Sequence, residues 1–234
     1  MISCYHLNIP HPRRDGALLE DVSFELEQGS WADITGESGC GKSILFELLG
    51  LRLSAREGTL IIGGRNLDRL PRRKLESLRK RIGACAQKPL LLEERTVLEN
   101  LLVPLVARGE TRSAARLVES VIEALELDAL RHLPIEALSE SERRVVAIGR
   151  ACVGAPPMIL IDGGVEGLDT AWKKRARSFL RKLHLEGSTV VLFSREAVGP
   201  MTGRGVELRI EDGRLEPTER SLHAPAPEDI GVRR

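Results

Sequence analysis

Residues 36–43 read GESGCGKS, and this segment constrains the fold of the chain more than any other. It matches the phosphate-binding loop pattern G-x-x-x-x-G-K-[ST] at every fixed position. Glycines carry no Cβ, so consecutive backbone N–H groups can curve around phosphate oxygens, while the lysine reaches the β- and γ-phosphates. The segment therefore predicts a site for a nucleoside triphosphate. The predicted binding residues are Gly36, Ser38, Gly39, Cys40, Gly41, Lys42 and Ser43.

The flanking residues favour the strand–loop–helix context that such a loop needs. A short apolar run that includes Trp31 and Ile34 predicts a strand entering the loop, and residues 43–49 (SILFELL) predict the helix leaving it. The N-terminus of that helix would then point at the anion. The Ser43 hydroxyl is the expected Mg²⁺ ligand. The alternative is a glycine-rich turn that matches the pattern by chance.

Composition limits the classes of partner. The chain has 234 residues, enough for one domain with an inserted subdomain, and 35 basic residues against 34 acidic ones. This balance argues against nucleic acid, or an anionic membrane surface, as the main partner. No apolar stretch approaches the ~20 residues of a membrane span, and the N-terminus shows no signal-peptide pattern. Four scattered cysteines without disulfide or metal-ligand spacing predict reduced cytosolic thiols: Cys4, Cys40, Cys85 and Cys152.

The order of apolar patterns predicts an α/β chain with a helical insertion. Alternation at Val22, Phe24 and Leu26 predicts a strand-rich start. Strands are predicted at 59–63, 158–162 (MILID) and 189–193, with a hairpin at 207–215, and helices at 70–82, within 96–133 and at 171–183. The many basic residues of 70–82 are interpreted as a solvated helix face. The tail from residue 216 is expected to be loosely ordered.

Several further motifs follow the loop in a fixed order. Gln87 lies in ACAQKP, TVLENL follows at 96–101, LSESE occupies 138–142, MILID ends at Asp162, and Leu168 precedes Asp169. Because these motifs occur in this order, the chain resembles ABC-type ATPase subunits. It looks most like the branch that serves lipoprotein release, macrolide export and cell division. The similarity extends from about residue 2 to residue 215.

The resemblance implies an α/β P-loop NTPase fold: a RecA-like core with N-terminal antiparallel strands, plus a helical ABC-type subdomain at about 89–151. The nucleotide-binding domain would span 1–215, followed by a tail at 216–234. The implied cofactors are ATP and Mg²⁺, with Ser43, Gln87 and Asp162 at the metal. The implied partners are membrane permease subunits and a second ATP-binding subunit, identical or different, bound head to tail. This arrangement would place the chain in the cytoplasm, at the membrane through its partner subunits.

The chain departs from the family where ATP is clamped and hydrolysed. The family signature LSGGE is replaced by LSESE, with Glu140 and Ser141 where glycines approach the partner's γ-phosphate. The glutamate that polarises water after the strand-end aspartate is Gly163, and the nearby Glu166 is not expected to replace it. The switch histidine is Arg195, which can contact a phosphate oxygen but cannot exchange protons near neutral pH.

The aromatic residue that stacks on adenine in the family is also absent. Pro10 or His11 lies near its position, and Tyr5 comes too early in the chain. With an intact phosphate loop, the departures predict retained ATP binding and weak or absent hydrolysis, with only Gln87 and Arg195 as catalytic candidates. The alternative function is a non-hydrolysing ATP-binding regulator or scaffold of a membrane or envelope complex. An unrelated P-loop enzyme is the third possibility.

Overall fold

The computed structural model describes residues 1–11, 16–55, 57–199 and 205–218. These residues form two β-sheets and six α-helices. The strands are β1 (Ile2–Pro10), β2 (Ala17–Leu26), β3 (Trp31–Gly36), β4 (Glu57–Ile62), β5 (Arg65–Asn66), β6 (Ile82–Cys85), β7 (Met158–Asp162), β8 (Thr189–Ser194), β9 (Gly205–Glu211) and β10 (Arg214–Pro217). The helices are α1 (Lys42–Leu49), α2 (Arg72–Arg79), α3 (Val97–Arg108), α4 (Ala114–Leu125), α5 (Glu140–Cys152) and α6 (Thr170–Leu185).

The smaller sheet is antiparallel and has the strand order β2-β1-β4-β5. In β2 the side chains from residue 22 to 26 alternate, and Val22 and Leu26 face the core as the sequence predicts. The sheet therefore covers one side of the core that lies beneath the phosphate loop. This confirms the predicted N-terminal antiparallel strands.

The larger sheet has the order β10-β9-β3-β8-β7-β6. Its strands β9, β3, β8, β7 and β6 are parallel, while β10 pairs antiparallel with β9 in the predicted hairpin. The carboxyl ends of β3, β6, β7 and β8 meet at one edge, where open α/β sheets bind ligands. The phosphate loop lies at this edge, between β3 and α1.

The central strands are buried on both faces, which explains their continuous apolar sequences. Along β7, Ile159 and Ile161 pack into the core shared with α3–α6, whereas Leu160 packs into the core shared with α1 and the smaller sheet. Along β8, Leu192 and Phe193 divide in the same way. Strands with this pattern belong to parallel sheets covered on both sides, so the prediction from MILID and TVVLF is confirmed.

Helices α3, α4 and α5 form the insertion between β6 and β7, and they confirm the helical subdomain. Two capping boxes define its helix starts: Thr96 with Glu99 for α3, and Ser139 with Glu142 for α5. Within the described ranges, no helix is both long and apolar enough to span a bilayer.

Two predicted boundaries need correction. The helix expected at 70–82 is confined to Arg72–Arg79, because Pro71 holds Leu70 in an extended conformation and Ile82 already pairs with β7. The ordered chain also continues past 215, since Glu216 and Pro217 pair with β9 at the sheet edge. A proline is tolerated there because an edge strand can do without one N–H donor. Residues 219–234, the rest of the predicted tail, lie outside the described residues.

Candidate nucleotide-binding site

The phosphate loop joins the end of β3 to the start of α1. Its glycines Gly36, Gly39 and Gly41 have φ values of +148°, +89° and +112°, a region that L side chains rarely adopt. A Cβ on Gly36 would lie 2.7 Å from the Ile210 carbonyl oxygen, and one on Gly41 would lie 2.9 Å from Leu19 Cδ2. These two glycines are therefore required by backbone conformation and by close packing. The loop presents backbone N–H groups and the α1 N-terminus to the space in front of it.

Lys42 is held within the loop by backbone carbonyl groups. Its Nζ donates hydrogen bonds of 2.6 Å to the carbonyl oxygens of Gly36 and Glu37 and lies 3.5 Å from Cys40 Sγ. The ammonium group therefore adds a positive charge to a loop that already carries the positive end of a helix dipole. This is the electrostatic environment that a polyphosphate requires.

The loop borders a cleft of about 280 Å³. Its lining combines Ser38, Gly39, Gly41, Lys42 and Ser43 from the loop with Gln87, Asp162, Gly163, Glu166 and Arg195 from the ends of other strands. Gly36 and Cys40 do not line this cleft; each lines an adjoining groove that shares Ser38 with it. The structure thus brings together most of the residues predicted for nucleotide and metal.

The donor set of the cleft fits Mg²⁺ and a nucleotide. Mg²⁺ is usually held by one or two protein oxygens together with phosphate oxygens and water. Ser43 and Asp162 line the same cleft and offer a hydroxyl and a carboxylate. His11 and Leu18 line another part of the cleft, so His11 lies where the sequence places a substitute for the adenine-stacking residue. The Tyr5 hydroxyl instead donates a hydrogen bond to Glu25 within the small sheet.

Gly163 directly follows Asp162 and has a left-handed backbone, with φ +79°. Its N–H donates to the carbonyl oxygen of Phe193 on β8 at 2.8 Å. A Cβ at this position would lie 3.3 Å from Gln87 Cγ and 3.4 Å from Arg144 Nη2. Restoring a glutamate at this position would therefore require more than adding a carboxylate, because the backbone here adopts a conformation that a glutamate tolerates poorly.

Arg144 is a residue that the motifs did not single out. It lies on α5, and its guanidinium donates to the carbonyl oxygens of Ala86, Asp162 and Gly164. It thereby connects the helical subdomain to the ends of β6 and β7, beside Gly163. Only its position in the arginine pair that follows LSESE could have drawn attention to it.

Glu166 and Arg195 form the rim of the cleft. The Arg195 backbone N–H donates to Glu166 Oε1 at 2.6 Å, and Arg195 Nη2 donates to Ser38 Oγ at 3.2 Å. The guanidinium therefore lies against the phosphate loop. The Glu166 carboxylate accepts this hydrogen bond and so holds the start of the segment that begins at Arg195, which we call the switch segment.

Asp33 anchors the segment that follows Arg195. Its buried carboxylate accepts hydrogen bonds from Val198 N at 3.1 Å, Gly199 N at 2.8 Å and Trp31 Nε1 at 3.0 Å. Burial raises the pKa of Asp33, and the hydrogen bonds oppose this shift. Strand β3 therefore carries both the phosphate loop and the anchor of the switch segment.

The LSESE segment forms the beginning of α5. Ser139 caps the helix, and Glu140 is exposed in its first turn, where the helix dipole favours a carboxylate. The Ser141 hydroxyl donates to the Gly167 carbonyl oxygen at 3.4 Å. Asp169, the last of the ordered motif residues, caps α6 by accepting a hydrogen bond from Trp172 N at 3.0 Å.

A doubly covered parallel sheet with a phosphate loop at its carboxyl edge defines a P-loop nucleotide-binding protein. Comparison with known proteins gives the family. A model of the ABC transporter family matches residues 19–165. The chain is 32% identical over 212 residues to the lipoprotein-releasing system ATP-binding protein LolD of Aquifex aeolicus, covering 89% of this chain and 93% of that protein. It is 30% identical over 201 residues to the cell division ATP-binding protein FtsE of Streptococcus pneumoniae, covering 84% and 86%.

A solved structure shows the same architecture. The dimeric ATP-binding cassette MJ0796, in a post-hydrolysis state bound to ADP and Pi, superposes with a TM-score of 0.82 at 25% identity, covering 92% of this chain and 97% of that one. The chain belongs to the ABC transporter family, as an ATP-binding subunit of the predicted branch.

Proposed function

We propose that the chain binds Mg-ATP as a subunit of an ABC transporter complex and hydrolyses it weakly or not at all. The observation that carries this proposal is Gly163, where the residue after Asp162 has a left-handed backbone and no side chain. The phosphate loop, by contrast, keeps its glycines, Lys42 and Ser43. The proposed site therefore keeps the groups that bind ATP but lacks the group that activates water for hydrolysis.

In this proposal the phosphate loop binds the triphosphate. Backbone N–H groups from Ser38 to Ser43 surround phosphate oxygens, and Lys42 exchanges its bonds to loop carbonyls for bonds to the β- and γ-phosphates. Ser43 and Asp162 hold Mg²⁺, with Gln87 beside them in the cleft. Arg195, which already contacts Ser38, supplies a permanent positive charge for a terminal phosphate oxygen.

Hydrolysis needs a group that positions and deprotonates water. Loss of a general base typically costs a factor of about 10²–10⁴ in rate. Gly163 provides no such group, and the Glu166 carboxylate accepts a hydrogen bond from the Arg195 backbone. Arg195 cannot accept a proton near neutral pH. The charged groups in the cleft therefore support binding rather than water activation.

The assembly we propose is a head-to-tail pair of ATP-binding subunits on membrane permease subunits, at the cytoplasmic face of the membrane and without nucleic acid. Glu140 is exposed at the start of α5, the end that would approach the other subunit's nucleotide. A carboxylate held 4 Å from a phosphate charge adds roughly 4 kcal/mol of repulsion at an effective dielectric constant near 20, and rotation into water reduces it. In a homodimer both sites carry every defect. In a heterodimer with an intact partner, the site at this chain's phosphate loop lacks the glutamate and the histidine, and the other site faces LSESE.

The test is to incubate the purified protein with stoichiometric Mg-ATP, isolate the complex and identify the bound nucleotide over hours. We expect intact ATP, and no bound nucleotide for the matched Lys42→Ala variant. Stoichiometric ATP binding followed by steady turnover at the rate of ordinary family members would contradict weak hydrolysis. Failure of the wild type to retain nucleotide would contradict the binding site itself. Co-purification with a membrane protein that moves a substrate would separate a transporter subunit from a regulator or scaffold.

A further inference from the structure

The chain is nearly neutral overall, but one of its segments is strongly basic. Residues 65–81 contain eight arginines or lysines and two acidic residues, so the segment carries a charge of +6 within a chain whose total is +1. The rest of the chain is therefore acidic overall. Such charge asymmetry within one domain points to an anionic partner for the basic part.

Helix α2 presents most of this charge to solvent. None of its residues is buried, and only Leu75 and Leu78 are half-buried, where they pack against the core beneath the smaller sheet. Arg72, Arg73 and Lys74 are exposed on its first turn. We call the exposed cations of this region the α2 basic surface. Its members are Arg65, Arg69, Arg72, Arg73, Lys74, Lys80 and Arg81, together with Arg79, whose guanidinium also donates to the Leu51 carbonyl oxygen.

Helix stability does not account for these cations. The positive end of a helix dipole lies at the N-terminus, where lysine and arginine are unfavourable. In α2 three cations occupy this end, no acidic residue stands in the first turn, and Pro71 provides no side-chain cap. Residues that break a local stability rule without a compensating contact are candidates for function.

Ion pairing does not account for them either. Elsewhere in the chain arginines pair with carboxylates, as Arg131 does with Glu119 and Arg143 with Glu93. Among the residues that the structure describes, the side chains of Arg72, Arg73 and Lys74 form no ion pair or hydrogen bond. Their charge is therefore available to a partner without breaking an internal contact.

We propose that the α2 basic surface binds the anionic headgroups of a lipid bilayer directly. Polybasic segments bind anionic lipid by electrostatic attraction and need no apolar anchor. Protein interfaces, by contrast, have apolar and aromatic centres. Within 65–81 the structure exposes no large hydrophobic side chain, so the surface fits headgroups better than a protein partner.

The cationic surface continues into an adjoining groove of about 220 Å³ beside α3. This groove is lined by Arg52, Arg79, Lys80, Arg108 and Arg150, among other residues. Arg79 and Lys80 belong to both surfaces, so cations line the helix and the groove continuously. Within the groove Arg52 pairs with Glu47 and Arg108 with Glu110. This attachment would act beside the permease subunits and requires no bound ATP.

The experiment measures sedimentation of the purified full chain with two kinds of vesicle, phosphatidylcholine alone and phosphatidylcholine containing phosphatidylglycerol. We expect binding only to the anionic vesicles, and release by salt because surface charges are screened. The variant Arg72→Gln/Arg73→Gln/Lys74→Gln should bind about 100-fold more weakly, at about fivefold for each charge lost near the bilayer surface. Its Tm should equal or exceed that of the wild type, because unfavourable dipole interactions are removed.

The matched control is Lys173→Gln/Lys174→Gln/Lys182→Gln, which removes three charges from exposed positions of α6. It should bind anionic vesicles as the wild type does, and all three proteins should bind ATP equally. Equal loss of vesicle binding in the two variants would show general charge attraction and overturn the proposal. Absence of wild-type binding to anionic vesicles at low salt would also overturn it, and would favour an acidic protein segment as the partner. Loss of ATP binding with vesicle binding intact would contradict the proposed function alone.

Discussion

Gly163→Glu tests whether the missing glutamate alone explains weak hydrolysis. The backbone at this position has φ +79°, and a left-handed conformation costs a residue with a Cβ about 1–2 kcal/mol. The new Cβ would lie 3.3 Å from Gln87 Cγ, which must move by a few tenths of an ångström, and 3.4 Å from Arg144 Nη2, which it would just touch. The carboxylate would also lie beside the Arg144 guanidinium, which favours an ion pair over contact with water.

We therefore expect destabilisation without recovered activity. A loss of 1–2 kcal/mol corresponds to a decrease in Tm of roughly 2–8 °C for a chain of this size. Phosphate release should stay far below the 10²-fold increase, or about 2.7 kcal/mol in barrier height, that a working base would give. Thermal unfolding and steady-state phosphate release measure the two quantities.

The controls separate backbone strain from charge. Gly163→Ala should lose the same stability without adding a carboxylate, whereas Gly163→Asn should lose less, because asparagine tolerates the left-handed region. The double variant Gly163→Glu/Arg144→Gln removes the guanidinium, so the new carboxylate no longer has an ion-pair partner beside it. If Gly163→Glu alone keeps the wild-type Tm and raises turnover by 10²-fold or more, the conformational argument for this site is wrong.

Three other predictions follow from single contacts. Ser139→Ala removes the cap of α5 and should cost about 1 kcal/mol of unfolding free energy, measured by denaturant titration. Arg195→His should make ATP affinity fall between about pH 6 and about pH 8, while the wild type stays flat, because histidine loses its charge near pH 6.5; equal pH dependence would exclude contact with phosphate. Burial raises the pKa of Cys4 to about 12 and also raises the pKa of Cys85 and Cys152, so at about pH 8 these thiols remain protonated and unreactive. A thiol reagent should therefore label Cys40 alone in the native protein, as peptide mapping would show.

Much of the core could be predicted from the sequence because its signals are local. The glycine spacing of 36–43 predicts the loop, and the continuous apolar runs of MILID and TVVLF predict doubly buried strands. The helix predicted at 70–82 was too long because the basic residues continue to Arg81, directly before β6, whose strand identity depends on pairing with β7. The total charge is balanced, so composition alone did not indicate the α2 basic surface.

The site required contacts between distant parts of the chain. Arg144 reaches carbonyl groups at residues 86 and 162 because α5 packs across the ends of β6 and β7. The sequence showed that Gly163 lacks a carboxylate but not that its backbone is left-handed or that Arg144 occupies the neighbouring space. The sequence likewise indicated only that Glu166 does not replace the missing glutamate, and its hydrogen bond to the Arg195 backbone appeared only in the structure.

The sequence by itself determined the family, the phosphate loop and the positions at which catalytic groups are replaced, since these depend on residue identity and spacing. The tertiary structure decided which side chains meet at the cleft and how far a replacement could be reversed. The physical reason is that hydrogen bonding, close packing and backbone strain at Gly163 arise from strands and a helix that are remote in sequence. Residue spacing along the chain carries no information about such contacts until the sheet and α5 have packed together.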